Sequence, residues 1–133
     1  MEKALATGRI GRPVAVRAFL QWTADHGVLT RLAADACDAA ARWFESAVTA
    51  CYARGGAAEG YVSVLAEYAR GETALVAAEV LREGPAATLV LVVGNRGTLQ
   101  FDDAAPEQPG DSPLRALIER SLATGRVERA NAG

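Results

Sequence analysis

The sequence predicts an α+β domain, built on a mostly antiparallel or mixed, open-faced β-sheet with helices on one face. Strand-like runs are grouped in the middle of the chain, whereas helical periodicity is confined to one long segment before them and one after them. Short glycine-containing connections separate several of the runs, which favours antiparallel pairing. The length of 133 residues fits one domain, covering residues 1–133.

The first elements are a helix, a strand and a longer helix. Glu2–Thr7 reads as a short helix closed by Gly8. The strand that follows has apolar side chains alternating onto one face, at Val14, Val16, Ala18 and Leu20. A helix is predicted from about Gly27 to Phe44, because its apolar residues recur at three- and four-residue spacing.

Five further strands and a terminal helix complete the prediction. The strand-like runs are Ala47–Ala53, Tyr61–Ala69, Thr73–Arg82, Thr88–Val93 and Thr98–Phe101. The short connections at Arg70–Glu72 and Glu83–Ala86 predict antiparallel hairpins. An exposed, proline-rich loop is expected at about 102–111, then a helix with Ser112 as N-cap that stops near Gly125, and a mobile tail at about 127–133.

The pattern of the fifth strand bears on assembly. Leu89–Val93, together with the apolar residues of 76–81, shows little of the polar alternation expected of a sheet with one face in water. We therefore expect the second face to be covered, most simply by another copy of the protein, in a homodimer or a larger homo-oligomer.

Composition excludes several classes of function. The net charge is −2 and the 14 basic residues are scattered, which argues against a nucleic-acid partner. No run approaches the roughly 20 apolar residues of a membrane span and no signal-peptide core is present, so a cytoplasmic protein is expected. Cys37 and Cys51 have no further Cys or His at metal-ligand spacing, so we predict buried thiols and no metal site.

Two stretches resemble a known family. ALATGRIGRPVAVRAF is similar to the start of the C-terminal domain of the Gfo/Idh/MocA oxidoreductases, and YVSVLAEYARGETALVAAEVLREGPAATLVLVVGNRGTLQFDD is similar to that domain's run of strands. The resemblance covers nearly the whole chain. It implies a substrate-side and oligomerisation domain without the dinucleotide-binding half. No glycine-rich strand–turn–helix occurs in the sequence, so this chain alone is expected to bind no cofactor, and NAD(P) would come only through a partner domain.

The family's site helix carries an Asp, a His four residues later and another Asp three residues after that. Aligned on Asp38, this motif places Asp35 at the His position and Arg31 at the position of the first Asp. His26, the single histidine, lies before the helix. The acid–base pair that the family uses on a substrate hydroxyl is therefore substituted, since an unperturbed Asp titrates near pH 4.

The candidate site follows from this alignment. Asp35, His26 and Arg31 are its candidate catalytic residues, and Trp22 and Asp38 its candidate substrate-binding residues. The alternative is a solvated helix face on which Arg31–Asp35 and Asp38–Arg42 form i,i+4 pairs contributing about 0.2–0.5 kcal/mol each.

Three functions stay open on the sequence alone. The first is a non-catalytic module for oligomerisation, substrate binding or partner binding. The second is an NAD(P)-dependent dehydrogenase acting on a sugar or polyol, of which this chain is either one subunit, with a separate dinucleotide-binding subunit, or an excised domain. The third is a cofactor-independent isomerase, cyclase or dehydratase that uses the altered helix face. The missing His favours the first, because a working dehydrogenase should have kept it.

Overall fold

The computed structural model describes residues 11–23, 29–56, 60–81, 87–103 and 114–130. The predicted helix Glu2–Thr7 lies outside these ranges. Along the chain the described elements are β1 Pro13–Thr23, α1 Leu29–Phe44, β2 Val48–Gly56, β3 Tyr61–Tyr68, β4 Thr73–Leu81, β5 Ala87–Gly94, β6 Gly97–Asp103, α2 Leu114–Thr124 and β7 Glu128–Arg129.

The strands form one seven-stranded mixed sheet in the order β6-β5-β1-β4-β3-β2-β7. β1 is parallel to β4 and antiparallel to β5, and the other neighbouring pairs are antiparallel. The α+β class and the mixed sheet predicted from the sequence are therefore confirmed.

The position of β1 corrects one prediction. The connection at Arg70–Glu72 does join an antiparallel hairpin, β3–β4. The hairpin predicted at Glu83–Ala86 was wrong, because β4 and β5 both pair with β1, which lies between them. Crossing two strand spacings requires about 10 Å, a span that five residues at about 3.3 Å each can bridge. The short connection therefore determines that β5 runs antiparallel to β4, but it does not determine which strand β5 pairs with.

Both helices lie on one face of the sheet, which we call the covered face. α1 packs against β1, β3 and β4, and α2 packs against β2 and α1. Alternate residues of the strands point into this core and are almost inaccessible, among them Val16, Val64, Val76 and Val92. Several core residues of α1 are alanines, such as Ala33 and Ala40, which are fully buried and allow the helix to approach the sheet closely.

α1 ends in a Schellman motif. Glu45 adopts a left-handed conformation with φ of 53°, and the Ser46 N–H donates to the Ala41 carbonyl at 3.1 Å. The Arg70 guanidinium donates to the carbonyls of Phe44 and Glu45, each at 2.8 Å. A cation therefore satisfies the orphan carbonyls at the negative end of the helix dipole.

The C-terminal segment differs from the expectation of a mobile tail. Glu128–Arg129 forms β7, which pairs with Ala50 and Cys51 of β2. Next to β7 along the same edge of β2, the buried Ser121 hydroxyl accepts a hydrogen bond from the Ala53 N–H at 2.8 Å and donates one to the Arg126 carbonyl at 2.6 Å. The edge of β2 is thus satisfied by contacts from across the chain that no local sequence pattern signals.

One further boundary differs from the sequence prediction. β6 extends through Asp103, so the first residues of the predicted loop belong to a strand; residues 104–111 lie outside the described ranges. Within the described part of the chain, neither helix is long and apolar enough to cross a membrane.

Candidate functional site

The charged residues predicted as a site lie along one side of α1. Arg31, Asp35, Asp38 and Arg42 recur at three- and four-residue spacing, which places them on one helix face. Arg42 Nη1 lies 3.1 Å from Asp38 Oδ2, and the two side chains are 62% and 42% exposed. An exposed i,i+4 pair of this kind contributes about 0.3–0.5 kcal/mol. The C-terminal half of the face is therefore a solvated ion pair, as the alternative interpretation expected.

The N-terminal half of this face is less open. Arg31 and Asp35 are both half-buried in α1. Trp22 lies in β1, where its backbone pairs with Val80, but its side chain is outside the described part of the structure, and His26 lies outside the described residues altogether. The roles assigned to Arg31, Asp35, His26 and Trp22 therefore stay predictions.

Neither of the two cysteines, Cys37 on α1 and Cys51 on β2, has a reactive thiol. Cys37 and Cys51 are both free and buried, as predicted. Burial, with the neighbouring Cys51 and Asp38, raises the pKa of the Cys37 thiol to about 12. Burial also raises the pKa of the Cys51 thiol to about 11, although Arg120 opposes the shift. Both thiols are protonated at neutral pH and are poor nucleophiles. Across the described ranges, no group of three His, Cys, Asp or Glu is placed to hold a metal ion.

A second surface emerges on the side of the sheet away from the helices, which we call the open face. Its register places one row of side chains across five strands, through Leu91, Arg17, Leu75, Leu65 and Tyr52. The next row contains Leu89, Phe19, Ala77 and Ser63. The large apolar side chains on this face remain accessible to water: Phe19 is 51% exposed, Tyr61 46%, Leu65 41% and Leu75 36%.

The open face also carries polar groups near one end. The Gln21 amide Nε2 donates a 2.8 Å hydrogen bond to Glu79 Oε1 across β1 and β4. Beside this pair is a shallow depression of about 300 Å³, to which Phe19 and Tyr61 contribute aromatic walls. A carboxylate next to two aromatic rings is suited to receive a cation.

Sequence reasoning identified this surface only in part. The poor alternation of 89–93 predicted a covered second face, but the sequence analysis predicted no role for Phe19 or Arg17. The signal was available, because the residues of β1 that alternate with Val16, Ala18 and Leu20 include Arg17 and Phe19. Their importance depends on the central position of β1, which the sequence did not predict.

The fold matches that of the C-terminal domain of Gfo/Idh/MocA dehydrogenases. The myo-inositol dehydrogenase from Lactobacillus casei, solved with NAD(H) and myo-inositol, superposes with a TM-score of 0.75 at 15% identity, over 99% of this chain and 58% of that one. The WlbA dehydrogenase from Bordetella pertussis, in complex with NADH and UDP-GlcNAcA, gives 0.70 at 16% identity, over 99% and 59%. The scyllo-inositol dehydrogenase from the same Lactobacillus species, with bound NAD(H) and scyllo-inositol, gives 0.73 at 11% identity, over 96% and 59%.

These likenesses confirm the expected fold and, at such identities, the fold alone. The chain spans about 59% of the length of the dehydrogenases that it resembles. No family model matches the sequence, and no curated protein does.

Proposed function

We propose that this chain is a non-catalytic, self-associating module of the oxidoreductase type, which assembles through the open face of its sheet. The observation that carries the proposal is the exposure of large apolar side chains across the central strands, from Leu65 on β3 through Leu75 on β4 to Phe19 on β1.

The physical argument is the cost of leaving this face in water. Apolar burial contributes about 25 cal/mol per Å², and contiguous exposed apolar patches on single-chain proteins are small unless they bind something. Two sheets can pack face to face at about 10 Å separation, so the open face of one copy can be covered by that of another. A two-fold assembly would cover the same patch on both copies.

The proposal assigns no NAD(P) site to the chain itself. The dehydrogenases that share its fold bind NAD(H) or NADH in their solved complexes, but about two fifths of each of those chains has no counterpart here. The sequence has no glycine-rich strand–turn–helix to seat a pyrophosphate. The nicotinamide would therefore have to be held by another polypeptide.

This difference in length supports a second candidate function. The chain would supply the substrate side of a split dehydrogenase, with a dinucleotide-binding subunit as its partner. The half-buried Arg31 and Asp35 would then face the partner's nicotinamide. The substitution of the family's His by Asp35 weighs against this candidate, because an ordinary carboxylate is a poor base for a hydroxyl group at neutral pH.

Sedimentation equilibrium, with and without NADPH, tests the proposal. We expect the mass of a dimer or a larger oligomer and no binding of NADPH. Phe19→Glu should shift the chain toward monomer, because it places a charge in the middle of the open face. Ala116→Glu is the matched control: Ala116 is exposed on α2, which lies on the covered side of the sheet, so association should be unchanged.

Two results would overturn the proposal. One is a wild-type chain that stays monomeric at high micromolar concentration. The other is a chain that binds NADPH by itself at micromolar concentration. Circular dichroism of both variants establishes that any loss of association is not a loss of folding.

A further inference from the structure

Arg17 lies in the interior of the open face. It is on the inner strand β1, between Leu91 on β5 and Leu75 on β4, and its side chain is exposed. Along β1, the next residues on the same face are Ala15 and Phe19. A guanidinium, which stays charged at any ordinary pH, is thus surrounded by apolar side chains.

Within one copy, no carboxylate of the described residues lies beside Arg17. None of the ion pairs among the described residues includes it, and its cross-strand neighbours carry no carboxylate. Glu79 is on the same face, but it lies four residues beyond Leu75 along β4, a distance of about 13 Å. If a second copy covered the open face and brought no carboxylate, burial of the unpaired guanidinium would oppose association strongly.

Glu79 has the complementary environment. Gln21 Nε2 holds one carboxylate oxygen at 2.8 Å, and the depression beside it, about 300 Å³, is lined by Phe19 and Tyr61. This volume is sufficient for a guanidinium and its aliphatic stem. The bound cation would gain a charge-assisted hydrogen bond from Glu79 and contact with two aromatic rings.

We propose that Arg17 of each copy inserts into the depression at Glu79 of a second copy, so that two reciprocal Arg17–Glu79 pairs set the register of a two-fold, sheet-to-sheet dimer. The inference rests on the proposed self-association through the open face and specifies its partner as an identical chain. It follows from two features of the same surface, an unpaired central cation and an aromatic-walled carboxylate, which cannot meet within one copy.

Reciprocity gives a decisive test by charge reversal. Arg17→Glu and Glu79→Arg, each alone, should weaken self-association at least about tenfold, since like charges then meet at both contacts. Mixing the two variants should restore association, because in the mixed pair each reversed charge faces an opposite one. The doubly reversed chain should also associate with itself. Sedimentation equilibrium of each variant, of the mixture and of the double variant measures these affinities.

Glu67→Arg is the matched control. Glu67 lies on the same face, on β3 beside Thr73, and the depression described above is at Glu79 instead. Glu67→Arg alone should associate as tightly as the wild type, and the double variant Arg17→Glu/Glu67→Arg should associate no better than Arg17→Glu alone. If that double variant recovers affinity and the Arg17→Glu/Glu79→Arg double variant does not, the assigned pair is incorrect.

The outcomes separate this inference from the proposal beneath it. A wild-type monomer overturns both. A wild-type dimer that Phe19→Glu disrupts, but whose two reversed variants fail to combine, overturns only the Arg17–Glu79 pairing. If a reversed variant does not fold, Arg17→Gln and Glu79→Gln in a double-mutant cycle replace it, and additive effects on the dimer dissociation constant would refute the pairing.

Discussion

The phenol of Tyr68, at the end of β3, donates a 2.6 Å hydrogen bond to the backbone carbonyl of Cys37 in the middle of α1. The Tyr68 ring also meets Phe44 edge to face, with the centroids 4.8 Å apart. The bond is buried, so one hydroxyl group joins α1 to the sheet. The joined residue, Cys37, directly precedes Asp38, where the exposed Asp38–Arg42 ion pair begins.

Tyr68→Phe removes this hydroxyl and keeps the ring. We expect the free energy of unfolding to fall by about 1–2 kcal/mol, because the phenolic bond is lost in a buried setting while the aromatic contact is retained. Urea denaturation followed by circular dichroism measures the change. Tyr61→Phe makes the same chemical change at an exposed tyrosine and should leave stability unaltered; equal effects at both positions would contradict this account of Tyr68.

Ser121→Ala should cost more than a typical serine substitution. The Ser121 hydroxyl is fully buried and serves both the Ala53 N–H and the Arg126 carbonyl, so its loss leaves two polar groups without that partner. We expect a destabilisation of about 1–3 kcal/mol, and faster hydrogen exchange at the Ala53 amide. Ser63→Ala, on the open face, is the comparison and should change stability little. Unchanged exchange at Ala53 in the Ser121 variant would refute the assignment.

Glu45→Gly should stabilise the protein. Glu45 is exposed, and its φ of 53° is a conformation that glycine adopts without the steric cost of a Cβ. A gain of about 0.5–1 kcal/mol in the free energy of unfolding is expected. The same substitution inside a helix, Glu119→Gly, should have the opposite sign. A loss of stability in the Glu45 variant would show that the Glu45 side chain has a role beyond the turn.

Glu72 should make stability depend on acidity. Burial by itself raises the pKa of this carboxyl, and neither of its buried oxygens has a hydrogen bond of ordinary geometry among the described residues. The nearby backbone N–H of Glu72, the Ser46 hydroxyl and the Arg70 guanidinium, whose Nε lies 3.8 Å from Glu72 Oε2, nevertheless hold that pKa below its ordinary value of 4.5. A carboxyl whose pKa is lowered in the folded state stabilises the fold above pH 4.5, and this contribution is lost as the pH falls through the lower, folded-state pKa.

Unfolding of the wild type and of Glu72→Gln from pH 7 to pH 3 tests this sign. At neutral pH the variant should be the less stable of the two, and the difference should shrink as the pH falls below 4.5. A difference that stays constant, or that grows in acid, would show that the charge of Glu72 is not what stabilises the turn.

Much of the architecture could be predicted because it follows from the spacing of apolar residues that are close together in the sequence. The three- and four-residue spacing of apolar side chains marked α1, and its end at Phe44 is the observed end. The alternation of Val16, Ala18 and Leu20 identified the buried side of β1. These signals depend on neighbouring residues, which share one environment in both the sequence and the fold.

What escaped prediction depends on residues far apart in the chain. The placement of β1 between β4 and β5 is a choice among pairings of similar local quality, and the short connection after β4 favoured the wrong one. The Ser121–Ala53 and Tyr68–Cys37 bonds join groups 68 and 31 residues apart. For the candidate site, the shared helix face was predictable, whereas the exposure of the Asp38–Arg42 pair required the packed structure.

The central position of β1 also constrains how the chain is made. Gln21 and Glu79, which meet across β1 and β4, are 58 residues apart, and β5 is synthesised later still. Until β4 and β5 have both left the ribosome, the backbone groups on both edges of β1 are unsatisfied and the apolar side chain of Phe19 is exposed to non-specific contacts. Nascent chains stalled before residue 94 should therefore depend on chaperones far more than chains stalled after it.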